Sequence, residues 1–291
     1  MATDFTIQDH HVLQFTKNVE LLLQQKQSKL IGAVGTGSYV GDAAQVVTQF
    51  GEVEFKDNTN WKGDTTWSDL DHEQRWVFPS DKDLALAVAK EDQLRMIIDP
   101  RSPYAEAMRA AYNRTVDRLI VAAAFGSAKI GKYDDMRNRT FPAGQVIPSG
   151  GTGLTLDKLL GAREMLSAAQ VDPSDTRYFV CSEKQITDLL KDEKVTSSDY
   201  ATVKALVKGE IDSYVGFTFI TYEELGVENT NERACIAYVK SGLHFGTWNG
   251  LEVHMDQRPD KKYVWQIYGK CTLGATRTQE KKVVEVLCTE A

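Results

Sequence analysis

Residues 51–83 read GEVEFKDNTNWKGDTTWSDLDHEQRWVFPSDKD. Glu52, Val53, Glu54, Phe55 and Lys56 alternate as an exposed strand does. Arg75, Trp76, Val77 and Phe78 form a second extended run that ends at Pro79, and the polar Asn58 to Asp71 lies between the two with Gly63 near its centre. The pattern predicts a long hairpin. It carries nine acidic and four basic residues, and Trp61, Trp67 and Trp76 put three of the chain's five tryptophans on it. A hairpin has little core of its own, so rings of this size need a partner surface. Two readings stand side by side: the rings fold back on their own domain, or they meet a second surface.

C-terminal to the hairpin, Ser102 suits an N-cap and Pro103 a first helical position, predicting a helix through about Phe125 that is roughly 35 Å long. Ala105, Met108, Tyr112, Val116, Leu119, Ile120 and Ala123 share one face, with Arg114 and Arg118 on the opposite side. From Arg101 to Arg139 there are eight basic and four acidic residues, the reverse of the hairpin's balance. After a Gly- and Pro-rich joint, Pro142 to Gly153, helix and strand alternate. Leu156 to Leu166 reads as helix, Arg177 to Cys181 as strand, and Ser182 with Gln185 has capping-box spacing before a further helix. Ala201 to Lys208 reads as helix, with strands at Phe217 to Thr221 and Ala234 to Val239. Leu251 to Met255, Tyr263 to Leu273 and Lys282 to Leu287 then read as closing strands. N-terminal to the hairpin, Val12 to Leu30 has helical spacing, and Gly35, Gly37 and Gly41 predict a bend. The class is α+β.

The chain has 291 residues, 42% of them hydrophobic and 26% charged, which is enough for one large or two modest globular domains and excludes collagen, rods and disorder. A net charge of −7 argues against a globally basic nucleic-acid-coating surface, while leaving room for a local basic patch. The longest unbroken apolar run, Leu119 to Phe125, falls far short of a bilayer span, so no membrane partner is expected. The first residues lack a secretory pattern, which predicts a cytoplasmic site of synthesis and assembly. Cys181, Cys235, Cys271 and Cys288 form no CxxC pair and read as reduced and semi-buried.

The chemical motifs do not assemble. Gly126 to Lys132 matches GxxxxGK, but Tyr133 follows where a phosphate-binding loop needs Ser or Thr, and a helix precedes it where a strand is required. His10 and His11 point apart, His72, His244 and His254 are isolated, and Asp134 and Asp135 sit in a charged loop. No nucleophile elbow is present. Catalytic residues, metal ligands and cofactors are therefore all expected to be none.

The order of elements resembles the major capsid proteins of tailed bacteriophages. Phrases spread over nearly the whole chain carry the likeness: 22–30 (LLQQKQSKL), 75–80 (RWVFPS), 94–100 (LRMIIDP), 240–248 (KSGLHFGTW) and 274–284 (GATRTQEKKVV). The resemblance implies the Hong Kong ninety-seven type capsid fold. It implies an N-terminal arm and lead-in over 1–50, an extended hairpin loop over 51–83 reaching a neighbouring subunit, and a peripheral domain with a spine helix over 84–150. An axial domain over 151–240 and strands returning to the peripheral domain over 241–291 complete it. It implies self-assembly into pentamers and hexamers forming an icosahedral head around double-stranded DNA, so the location is the virion. Lys56, Trp61, Lys62, Trp67, Arg75 and Trp76 are then the expected inter-subunit contacts, and Arg114 and Arg118 the expected lumen- or DNA-facing residues. Partners implied are other copies, a portal, a decoration or cement protein and a separate scaffolding protein, the last because the family-like region begins within the first fifteen or so residues. Autocatalytic cross-linking in this family uses a hairpin lysine, an asparagine and a buried acid; only the lysines can be assigned. An encapsulin-like compartment, which shares the fold, and a soluble α/β enzyme are the competing readings.

Overall fold

A computed structural model describes residues 25, 27–51, 53–55, 57, 63, 67–88, 101–172, 174–191, 213–228, 231–261 and 263–290. Along the chain come β1 (Gly35–Ser38), β2 (Ala44–Phe50), β3 (His72–Val77), β4 (Ser80–Val88), α1 (Arg101–Phe125), β5 (Ala128–Lys132), β6 (Asp135–Arg139) and β7 (Val146–Ile147). There follow α2 (Leu156–Ala168), β8 (Arg177–Cys181), α3 (Glu183–Lys191), β9 (Ser213–Tyr214), β10 (Phe217–Thr221), β11 (Val227–Glu228) and β12 (Glu232–Val239). The long β13 (Leu243–Arg258) and β14 (Val264–Arg277) and the last strand β15 (Val283–Thr289) close the chain. Three sheets result, ordered β1-β13-β14-β4, β2-β3-β5-β6 and β7-β15-β12-β8-β10-β9, with β11 on β12. The class is α+β, as expected.

One core joins the elements. Val116, Ile120 and Ala124 of α1 pack with Leu159, Ala162 and Leu166 of α2 and with the fully buried Phe179, Ile236, Tyr238, Val283 and Val286 of the strands. Their burial follows from period: the α1 residues recur every four positions, and β8, β12 and β15 sit side by side in the middle of their sheet. A small satellite of Met108 and Ile267 lies where α1 crosses β14. Thr155 caps α2 through Lys158 N–H; at α3 one arm of the predicted box forms, Ser182 N–H donating to Gln185 Oε1 at 3.1 Å, while Ser182 Oγ bonds the Gln185 side chain in place of its backbone N–H.

Four local expectations change. The first hairpin leg is Ala44–Phe50, not Glu52 to Lys56: Ala44 pairs with Val77 and Phe50 with His72, whereas Val53 to Phe55 lie beyond the ladder. Alternation alone could not place it, because exposed residues carry no burial signal to set register. Ser102 lies inside α1, which already includes Arg101, so it is not the cap. The cysteines are buried outright, none more than 7% exposed. Gly35 and Gly37 form no bend; they are strand β1, parallel to β13, with Gly37 opposite Gly246. Glycine is needed there because the Tyr39 ring lies over the pair: a Cβ on Gly37 would meet its hydroxyl at 2.6 Å, and one on Gly246 its ring at 3.0 Å. Tyr39 and His244 share a hydrogen bond of 2.8 Å. Of the helix predicted over Val12 to Leu30, residues 12–24 and 26 lie outside the described residues, the described 25 and 27–30 are not helical, and a 3-10 turn follows at Ile31–Ala33. The helix predicted over 201–208 also lies outside them.

The lead-in is tied down by one acid. Asp117 of α1 is fully buried and accepts from Ser28 Oγ at 2.5 Å, Lys29 N–H at 3.1 Å, Leu30 N–H at 3.2 Å and the Gln25 amide. Replacing it strands two backbone donors, each costing roughly 1–3 kcal/mol when buried without a partner. Asp117→Ala is therefore expected to lower stability by about 3 kcal/mol. Hydrogen exchange should show the Lys29 and Leu30 amides losing protection before the rest of the core.

Candidate assembly surface

The hairpin leaves the body at a buried ion cluster. Arg75 on β3 is 1% exposed and grips Glu280 with two hydrogen bonds of 2.7 Å, reaching Glu73 at 3.1 Å and Gln49 at 3.4 Å. Glu280 sits in a 3-10 turn, Glu280–Lys282, just before β15. Arg277 at the end of β14 is wholly buried and donates to the carbonyls of Ala124 at 2.7 Å and Gly126 at 2.9 Å, the open end of α1. Its guanidinium also lies over the Phe141 ring, 5.1 Å from the centroid. Burial pushes the Glu280 carboxyl up, but the hydrogen bonds and charge of Arg75 outweigh it and hold it below the usual carboxylate range. Burial lowers Arg277 from its ordinary value. A cleft of about 460 Å³ opens beside this cluster, walled by Gln49, Glu73, Arg139, Gln145 and Lys281.

Beyond the cluster the surface turns apolar. Phe50 is 62% exposed, Phe55 fully exposed and Trp67 87% exposed, with Val53, Phe78 and Tyr133 also at the surface. Trp76 behaves differently: its indole N–H donates to Gly131 O at 2.7 Å and its ring meets Tyr133 edge-on, so it packs against the β5–β6 hairpin of its own chain. The GxxxxGK stretch supplies the first strand of that hairpin. Of the six hairpin residues singled out in the sequence, Lys56, Trp61 and Lys62 lie outside the described residues. Trp67 projects outward, while Arg75 and Trp76 are held within the protomer and fix where the hairpin points.

On α1, Arg118 makes two hydrogen bonds to Glu224, at 2.6 and 3.0 Å, and both side chains stay about half exposed. The hydrogen bond from Arg118 holds Glu224 low, and the charge of Arg114 acts on the same carboxylate. The two arginines thus converge on the loop after β10. A second anchor closes the last strand. Glu290 accepts from Arg233 at 3.0 and 2.8 Å, from Gln185 Nε2 at 2.9 Å and from Ser182 Oγ at 3.1 Å. Lys158 is buried with its amine on the carbonyls of Thr152, Gly153 and Leu287.

Sequence reading missed Asp117, Arg277, Glu280 and Glu290. A signal existed for Asp117, which stands seven residues from both Ala110 and Ala124, on the buried side of α1. The phrase 274–284 contains Arg277 and Glu280, so residues quoted only for likeness are ion partners of Arg75 and of each other. Among the described residues no group of three His, Cys, Asp or Glu side chains could hold a metal ion. No helix among them is long and apolar enough to cross a membrane.

A family model described as phage capsid protein matches residues 7–290. The capsid structure of cyanophage P-SCSP1u is similar at a TM-score of 0.69 and 16% identity, covering 96% of this chain and 94% of that one. The cyanophage Pam1 capsid gives 0.72 at 12% identity and 99% of both chains. The capsid of a native GTA particle gives 0.68 at 13% identity and 100% of both. At such identities the structures speak for the fold alone. No curated protein matches the sequence.

The two ion clusters make separable predictions. Arg75→Ala leaves Glu280 buried without its main partner and should cost about 3–5 kcal/mol, whereas replacing both by well-packed apolar residues should cost less; urea denaturation of the two variants and the unaltered protein reads the difference. Glu290 is held at about 2, chiefly by its hydrogen bonds to Arg233. Its folded value lies below the unfolded value of about 4.3, so its stabilisation is complete above that pH and is lost as pH falls toward 2. Glu290→Gln should flatten the acid limb of a stability-versus-pH curve over that window. An unchanged limb would remove Glu290 from the account.

Proposed function

The chain belongs to the phage capsid protein family, and from that premise we propose that its copies close as pentamers and hexamers into an icosahedral head around packaged double-stranded DNA. It is a shell protein of the virion. The observation that carries the finer reading is a hairpin pinned at its base by Arg75 and Glu280 while Phe50, Phe55 and Trp67 stand in solvent. Apolar rings exposed beyond the paired strands are energetically poor unless another surface covers them. A neighbouring subunit supplies that surface, and in a closed shell every copy both gives and receives the contact.

In this reading residues 1–50 are the arm and lead-in, 51–83 the extended loop, and 84–150 the peripheral part built on α1. Residues 151–240 form the axial part at the capsomer centre, and 241–291 return to the periphery. The support for this is that β14 pairs with β4 along nine residue pairs; β15 joins the sheet of β12 and β8 instead. Arg114 and Arg118 face the lumen, where Glu224 leaves them partly neutralised; DNA contact there is non-specific and weakens with salt. The remaining partners are a portal, a scaffolding protein and a decoration protein, with assembly in the host cytoplasm.

Deleting 58–71 should leave a folded protomer, because that segment adds nothing to the described core, and should abolish shells. Trp67→Ala should weaken assembly less, since one indole buries about 200 Å² at roughly 25 cal/mol per Å². Co-expression with the scaffold, sedimentation and circular dichroism check both. Normal shells from the deletion would end the interface reading, and filled particles lacking nucleic acid would favour a protein-cargo compartment.

A further inference from the structure

A cleft of about 210 Å³ lies between α1, β4 and β14, apart from the ion cluster. Its walls are Met108 and Tyr112 of α1, Leu84 of β4 and Leu251 of β13. Gly269 keeps it open: a Cβ there would stand 3.3 Å from Met108 Sδ and 3.5 Å from a Leu251 methyl. Leu84 is 40% exposed, so the protomer leaves this apolar floor partly uncovered. At the rim stand Lys82, Lys270 and Asp83, with Lys270 shared with Glu252 at 3.2 Å.

We propose that this cleft seats the Trp67 side chain of a neighbouring copy. The proposal rests on the hairpin reading above and names the surface that receives it. An apolar cavity of about 150 Å³ already takes up benzene, so the volume here suits an indole. A buried indole also needs an acceptor for its N–H, which Asp83 provides at the rim. Phe55, the other fully projecting ring, has no such donor. Asp69 and Asp71 follow Trp67 and meet Lys82 and Lys270, which orients the approach. Within its own protomer Trp67 is 87% exposed, so it does not fill this seat in cis. The cleft lies beside β4, the outermost strand of its sheet, so a neighbour's hairpin can reach it without displacing a paired strand.

The test uses particles assembled with the native scaffold from chains carrying Trp67→p-benzoylphenylalanine. Irradiation should give a cross-linked dimer, and peptide mapping should place the adduct within 82–84, 108–115 or 269–271 of the second chain. A dimer cross-linked elsewhere overturns the seat while leaving the hairpin contact standing, and an adduct within the same chain overturns both. Should that variant fail to assemble, the same group at Leu84 should label residues 67–71 of another copy. Labelling of its own chain or of a different protein there also overturns the proposal. Leu84→Asp in the second position should lose most of the dimer.

Discussion

Arg75 holding Glu280 is the contact on which the rest of the protomer's geometry depends. A guanidinium with 1% exposure cannot stay charged without partners, and the paired 2.7 Å bonds supply them in the planar geometry that a carboxylate matches. Breaking such a pair leaves an uncompensated buried charge, so the hairpin strand and the turn before β15 move as one. Arg277 extends the tie to α1 by donating to carbonyls at the helix end, where four acceptors have no partner within the helix and the dipole is negative. Three elements far apart in sequence thereby take fixed directions.

The same device recurs at the other joints. Asp117 collects the backbone of the lead-in onto α1, Glu290 gathers Arg233, Gln185 and Ser182 around the last strand, and Lys158 binds carbonyls from the loop before α2 and from β15. Each is a buried or half-buried charge satisfied by several groups at once, and those hydrogen bonds offset its desolvation. The core provides most of the stabilisation. These charges decide orientation, and a shell subunit needs orientation because small angular errors accumulate around a closed surface.

The hairpin shows how far pattern reading carries. Its second leg falls where Arg75 to Phe78 was expected, within one to three residues at its ends, but its first leg lies earlier, at Ala44–Phe50. Val53 and Phe55 alternate with acids as a strand would, yet they are exposed and lack a paired neighbour, so nothing in local sequence separates them from the true leg. Trp67 and Trp76 look alike in sequence and have opposite fates. Trp76 is captured by a carbonyl 55 residues away, while Trp67 has no such partner on its own chain among the described contacts.

The class and the axis of α1 are legible from the sequence because they rest on a 3.6-residue period, and β8 and β10 are legible to the residue because each is a short run rich in aromatic and β-branched residues. Phrases of the sequence also pointed to the capsid family before any geometry was known. Which charges are structural follows from packing between distant segments. Arg75 meets Glu280 across 205 residues, Arg277 meets Ala124 across 153 and Asp117 meets Leu30 across 87. A buried ion pair has no local signature, because either residue alone reads as a solvated charge. Its meaning appears when folding removes the water and leaves each charge only the other.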